Sequence, residues 1–276
     1  MRNFKLFAQT LTLLTGLLFF AGCQQDDIIS PNSSLSDRDN SFSTYSPTGD
    51  HYGLGTANEL YTFSTRPSFT LLSTVQIQGL SVGEQMLAID VRPINRALYG
   101  VSNFSRIYLI DPATGFTKPV SRNPFVPAID GASVGFEFNS GTDRITLMTD
   151  KGQGLEIHPT TGQVVRTTAA PLGIVGVADF NGYTFGVDAS GNVISIDMNG
   201  NGKVVGSTGL TIVGDGGLDS NFGALAVFQA SGDVHNASGV PDDPTQVAYR
   251  LYRIDLSNGQ TSSLGVVSPM IGLAAK

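Results

Sequence analysis

The chain has 276 residues, 41% of them hydrophobic and only 14% charged, with a net charge of -7 and a pI near 4.8. An acidic chain without a Lys/Arg cluster repels phosphate backbones, which excludes nucleic acid as a partner. Thirty-three Gly and 13 Pro, with aromatics that are mostly Phe and Tyr, favour many short strands joined by tight turns, and the length suffices for one large core.

At the N-terminus, Arg2 and Lys5 supply a positive start, the apolar run LFAQTLTLLTGLLFF follows, and AGC ends it at Cys23. This layout predicts a secretion signal over residues 1–22. The run is too short, and too abruptly followed by QQDD, for a membrane-spanning helix. Because it ends at the single cysteine of the chain, the segment resembles the lipobox of bacterial lipoproteins, which implies cleavage before Cys23 and lipidation there. Asp26 and Asp27 resemble the export signal that carries some lipoproteins to the outer face of the outer membrane, so the implied address is the cell surface, with the membrane as partner through the lipid. One cysteine permits no intramolecular disulfide, and stability must come from packing. Residues 23–50 are rich in Ser, Asn and Asp and read as a flexible tether with a span of about 30 Å.

From His51 onward one pattern recurs. RIYLIDPATG at Arg106, LEIHPTTG at Leu155, VISIDMNG at Val193 and LYRIDLSNG at Leu251 each read as a strand entering a turn, and ELYTFSTRPS at Glu59 is a worn copy. Phe63, Ile110, Ile157, Ile196 and Ile254 mark the strand ends at spacings of 47, 47, 39 and 58. A second marker comes from MLAIDV, SVGFEF, IVGVADF, GALAVF and MIGLAA, which align on Ala88, Gly135, Gly176, Ala224 and Gly272. Four antiparallel strands about every 40–48 residues predict an all-β fold, a β-propeller of five four-stranded blades. The small residue in each first strand suits the crowded axis. MIGLAA runs out at the chain end, and HYGLGT at His51 supplies the missing second strand, so N-terminal residues close the ring and hide both sheet edges. Blade four departs from the pattern: Ala230–Tyr249 reads as a loop-rich insertion and Val213–Gly223 as a long acidic loop, both suited to recognition. In DPATG the Asp bonds turn amides, Pro presets φ and Gly takes positive φ, so Asp111, Asp197 and Asp255 are expected to be turn formers.

GLGTANELYTF, GLSVGEQMLAIDVRPINRALYGVSNFSRIYLIDPATG and GFEFNSGTDRITLMTDKGQGLEIHPTTGQV together resemble an uncharacterised family of secreted bacterial propeller-like proteins, domain-of-unknown-function family 4394. The resemblance covers most of residues 52–276. It implies a propeller and a secreted address and brings no mechanism.

The catalytic inventory is thin. His51, His158 and His235 lie in different blades or loops, away from any nucleophile elbow or second ligand at metal spacing. With Ala88 and Gly135 in register, Asp90 falls opposite Glu137, so two neighbouring blades each aim a carboxylate at the central channel, while Ala178, Ala226 and Ala274 fill the column elsewhere. Arg92, two residues on, shares the strand face of Asp90. Asp90, Arg92 and Glu137 therefore form the candidate site for a cation or polar ligand, or an acid/base pair if the protein is an enzyme. A solvated channel mouth with an Asp90–Arg92 surface pair is the structural alternative. DMNGNG at Asp197–Gly202 matches the opening of an EF-hand loop through Asp197, Asn199 and Asn201, but Thr208 stands where a bidentate Glu belongs. Calcium there is the one cofactor the sequence suggests. A glycan or an envelope protein is the expected partner, and with no Trp in the chain sugar stacking falls to Tyr or Phe.

Overall fold

The computed structural model describes residues 51–220, 224–232 and 248–276. The signal segment, Cys23, the tether, His235 and the greater part of the 230–249 insertion lie outside the described residues. Three N-terminal strands come first: β1 (His51–Gly55), β2 (Glu59–Ser64) and β3 (Thr70–Gln76). Blade I follows with β4 (Met86–Val91), β5 (Leu98–Ser102), β6 (Ile107–Ile110) and β7 (Thr117–Pro119). Blade II contains β8 (Val134–Asn139), β9 (Arg144–Thr149), β10 (Gln153–Ile157) and β11 (Val164–Ala169). Blade III contains β12 (Ile174–Phe180), β13 (Tyr183–Asp188), β14 (Asn192–Ile196) and β15 (Gly202–Ser207). Blade IV contains β16 (Leu210–Asp219), β17 (Leu225–Gly232), β18 (Ala248–Ile254) and β19 (Thr261–Val266), and the chain ends in β20 (Met270–Ala275).

These form five antiparallel four-stranded sheets, and the fifth runs β20-β1-β2-β3. The C-terminal strand is thus the innermost strand of blade V, and His51–Gly55 pairs with it as its second strand, which closes the ring as the sequence predicted. Innermost strands touch in the order β4, β8, β12, β16, β20 and back to β4. Third strands such as IYLI are buried on both faces, as befits apolar runs held between neighbouring blades. Tyr99, Phe136 and Phe138, for example, pack between blades I and II.

Each recurrent turn uses the same local chemistry. Asp111, His158, Asp197 and Asp255 accept a hydrogen bond from the backbone N–H two residues on, at 2.9, 3.2, 2.8 and 2.9 Å. His158 fills the Asp position with its Nδ1, an Asx-like turn in other atoms. The turns also latch the ring. A side chain on Gly115, Gly200 or Gly259, all at positive φ, would strike the backbone of Gln76, Ala169 or Ser207 in or beside the outer strand of the preceding blade. The motif therefore recurs because each blade leans on its neighbour through it.

Blade IV corrects the sequence reading. The sequence pattern puts GALAVF, residues 223–228, innermost, but Leu225–Phe228 begin the second strand, β17, and Ala226 pairs with Leu218. The innermost strand is β16, which includes most of the stretch read as an acidic loop. Its glycine-rich centre looks like a turn in sequence and serves close packing in space. A Cβ on Gly217 would sit 2.6 Å from Leu273 N and 2.7 Å from Gly272 Cα. The axial column is thus Ala88, Gly135, Gly176, Gly217 and Gly272, and the space they leave along the axis is only about 10 Å³.

Candidate functional site

The register correction changes the composition of the channel. Two residues beyond the axial column stand Asp90, Glu137, Ala178, Asp219 and Ala274, so a third carboxylate takes the place expected for Ala226. Asp90, Glu137 and Asp219 each bring an oxygen within 4.8 Å of the others, and all three are buried. Asp219 escaped the sequence reading, although a signal for it is present. Ala-Ile-Asp, Gly-Phe-Glu and Gly-Leu-Asp share a small-x-acid pattern, at Ala88, Gly135 and Gly217.

Each carboxylate reaches across to the next blade. Asp90 Oδ2 accepts the N–H of Phe138 at 2.6 Å, and its Oδ1 accepts its neighbour Val91 N–H at 2.6 Å. Glu137 accepts the N–H of Asp179 in blade III. Asp219 Oδ2 accepts the N–H of Ala275 in blade V at 2.6 Å. Innermost strands have no further strand on their axial side, so their N–H groups need acceptors, and these side chains supply them. Between blades III and IV the Ser220 hydroxyl donates to the Asp179 carbonyl instead.

Burial pushes the carboxyl pKa of Asp90 well up, the charge of Asp219 adds to it, and the Phe138 and Val91 N–H groups oppose the shift. Burial likewise raises Glu137, reinforced by Asp90 and then Asp219 and opposed by the Asp179 N–H. Three carboxylates so placed repel one another, which favours keeping a proton or taking a cation.

Arg92 is not that counter-charge. Its guanidinium forks onto Asp143 of blade II, with Nε at 2.9 Å and Nη2 at 2.5 Å from the two carboxylate oxygens. That pair ties blade I to blade II and holds the Asp143 carboxyl below its usual pKa. The alternative of an Asp90–Arg92 surface pair is also set aside, because Asp90 is 2% exposed.

The Asp197 loop is the β14–β15 turn. Its carboxylate accepts the N–H groups of Asn199 and Asn201 at 2.8 and 2.9 Å and the Asn201 side-chain amide at 2.9 Å. Asn201 thus turns its donor toward Asp197, where a calcium set needs oxygens. His51 is buried against Phe63, with Nε2 3.3 Å from Thr65 Oγ1.

Two concavities flank the β8–β9 and β12–β13 turns. One, of about 170 Å³, is lined by Val91, Pro93, Glu137, Ser140, Asp179 and Ser220, so that of the three clustered carboxylates Glu137 reaches it. The other is a groove of about 820 Å³ between blades II and III, reached by Asn139, Thr142, Tyr183 and Thr184 and running out to Met198 and Lys203. Nothing in the sequence announced this groove, because it is made by two sheets diverging at their outer strands.

The family described as Domain of unknown function (DUF4394) matches residues 59–274. The chain belongs to that family. No curated protein matches it. Among solved structures, the nidogen/laminin complex is 12% identical over 81% of this chain and 83% of that chain, with a TM-score of 0.45. BamB from Moraxella catarrhalis is 10% identical over 78% of this chain and 58% of its own, with a TM-score of 0.37. A protein of unknown function from Bacteroides thetaiotaomicron is 11% identical over 82% of this chain and 60% of its own, with a TM-score of 0.44.

Proposed function

We propose that this DUF4394 protein is a lipid-anchored protein of the bacterial cell surface whose propeller serves as a binding module. What supports the reading is one observation: the channel-mouth concavity and the interblade groove share the turns at residues 139–142 and 180–184, so one face of a closed ring offers adjoining hollows. Ligand sites are typically preformed concavities on rigid scaffolds. The enzymatic alternative would have to work through Glu137, which lines the channel-mouth concavity, without Asp90, which does not line it and whose oxygens accept the N–H groups of Phe138 and Val91.

The test uses intact cells. The native protein is cross-linked gently, purified and analysed by mass spectrometry beside a Cys23→Ala form. A partner or glycan that travels with the native protein and is lost from the variant is the expected result. Absence of lipid on Cys23 together with an empty co-purification would overturn the proposal.

A second reading has its own observation, the convergence of Asp219 on Asp90 and Glu137. An all-carboxylate oxygen set suits a hard divalent cation. Calcium added to chelator-treated protein then raises the unfolding temperature, and Asp219→Asn abolishes the rise. An unchanged unfolding temperature at millimolar calcium would eliminate this reading.

A further inference from the structure

The groove between blades II and III has a chemistry of its own. Its blade II wall is the sheet face that carries Thr146, Met148, Glu156, Arg166 and Thr168, and across from it stand Thr184 and Ile196 of blade III. Met148 and Ile196 belong to one buried apolar cluster, so the floor is hydrophobic. Gly154 lies between Met148 and Thr168 in the sheet, and a side chain there would collide with the Thr168 hydroxyl, so the glycine leaves that hydroxyl clear.

The charges cancel within the groove. Arg166 Nε donates to Glu156 at 2.9 Å while Nη1 crosses to the Met198 carbonyl at 2.8 Å, tying the two blades together at the outer end. The Asp197 carboxylate is spent on its own turn, and Lys203 lines the same outer end. By contrast, the half-buried hydroxyls of Thr146, Thr168 and Thr184 donate to and accept from no other described residue. Each offers one donor and two acceptor positions. Tyr183 and Met198, 69% and 75% exposed, add apolar lining at the surface.

We infer that this groove binds a neutral oligosaccharide. The inference rests on the binding-module reading and names its ligand class. A charged ligand would meet the already self-neutralised Glu156–Arg166 pair along the wall and a single cation, Lys203, at the exposed outer end, which disfavours it over most of the groove. A purely apolar ligand would strand three threonine hydroxyls. A sugar chain matches both halves of the surface, since its ring faces are apolar and its edge bristles with hydroxyls that donate and accept. The volume of about 820 Å³ falls in the range of small-molecule sites, enough for a few sugar rings.

The experiment is isothermal titration of the purified protein with maltotetraose, cellotetraose and mannotetraose, alongside tetragalacturonate as the charged comparison and a neutral glycan array for breadth. The expected result is binding of at least one neutral oligosaccharide and none stronger by tetragalacturonate. The double substitution Thr146→Val with Thr168→Val keeps side-chain shape and should weaken that binding about tenfold. Met198→Glu, at an exposed position, provides a second variant and should weaken it as well. No binding by any neutral glycan, or binding indifferent to both variants in folded protein, would overturn the inference. If neutral glycans fail while cross-linking returns a protein partner, this inference falls and the binding module stands. If both experiments are empty, both fall.

Discussion

Glu137→Gln isolates what the buried carboxylates do to one another. The amide keeps an acceptor oxygen for the Asp179 N–H and removes one of the three charges. At the outer limit of 4.8 Å and an effective dielectric constant of about 20, each ionised pair repels by at least about 3.5 kcal/mol, and Glu137 belongs to two of the three pairs. The wild-type cluster avoids most of that cost by holding a proton, so the penalty appears as pH dependence. Asp90 and Glu137 have folded pKa values above their unfolded ones, so the folded state binds more protons than the unfolded chain between those two limits. Stability therefore falls as pH rises from the ordinary carboxylate range through the raised folded values. Glu137→Gln should be near neutral at pH 4 and should stabilise at pH 8 by about 2 kcal/mol, or about 4–8 °C in unfolding temperature for a domain of this size. Chemical and thermal unfolding of wild type and variant from pH 4 to pH 8, in chelator, measures this. Equal destabilisation at both ends, or an unchanged pH slope, would refute the reasoning. If calcium erases the wild-type slope and not the variant's, the cation reading gains.

Three further outcomes follow from the same geometry. Gly217→Ala forces a Cβ to within 2.6–2.8 Å of the β20 backbone, where nothing flexible can yield, and should cost about 1–3 kcal/mol by denaturant titration. Arg92→Met unpairs Asp143 from blade I and should lower the unfolding temperature. Because the Asp143 pKa is held down in the folded protein, the stability this pair contributes is present above the ordinary carboxylate range and lost as pH falls through the lowered folded value, so the variant should lose most near neutral pH and progressively less as the medium is acidified. Asp111→Ala removes the Asx bond to Ala113 and should cost about 0.5–1.5 kcal/mol with no change in oligosaccharide binding, whereas a catalytic Asp would abolish an activity and spare stability.

The repeat was readable because each blade brings an apolar run into a turn and because that turn needs Asp-like and Gly chemistry at fixed places, both of which are local. Ring closure by His51–Gly55 was readable for the same reason, as one unit short of a strand at each end of the chain. Blade IV departs from its local signals where local and global demands conflict: Gly214, Gly216 and Gly217 signal a turn by propensity, yet all three sit in β16, and at Gly217 the β20 backbone admits nothing larger. That departure hid Asp219 until the sheets were assembled, and with it the third member of the carboxylate cluster.

The sequence by itself determined the five blades, the strand order outside blade IV, the turn formers and the pairing of the two termini, since these follow from patterns a few residues long. Tertiary structure alone decided that Arg92 serves Asp143 instead of Asp90, that three carboxylates share one buried volume, and that blades II and III part into a groove lined by hydroxyls without a partner among the described residues. Those facts depend on distances between residues 40 to 130 positions apart, which only the closing of the ring sets.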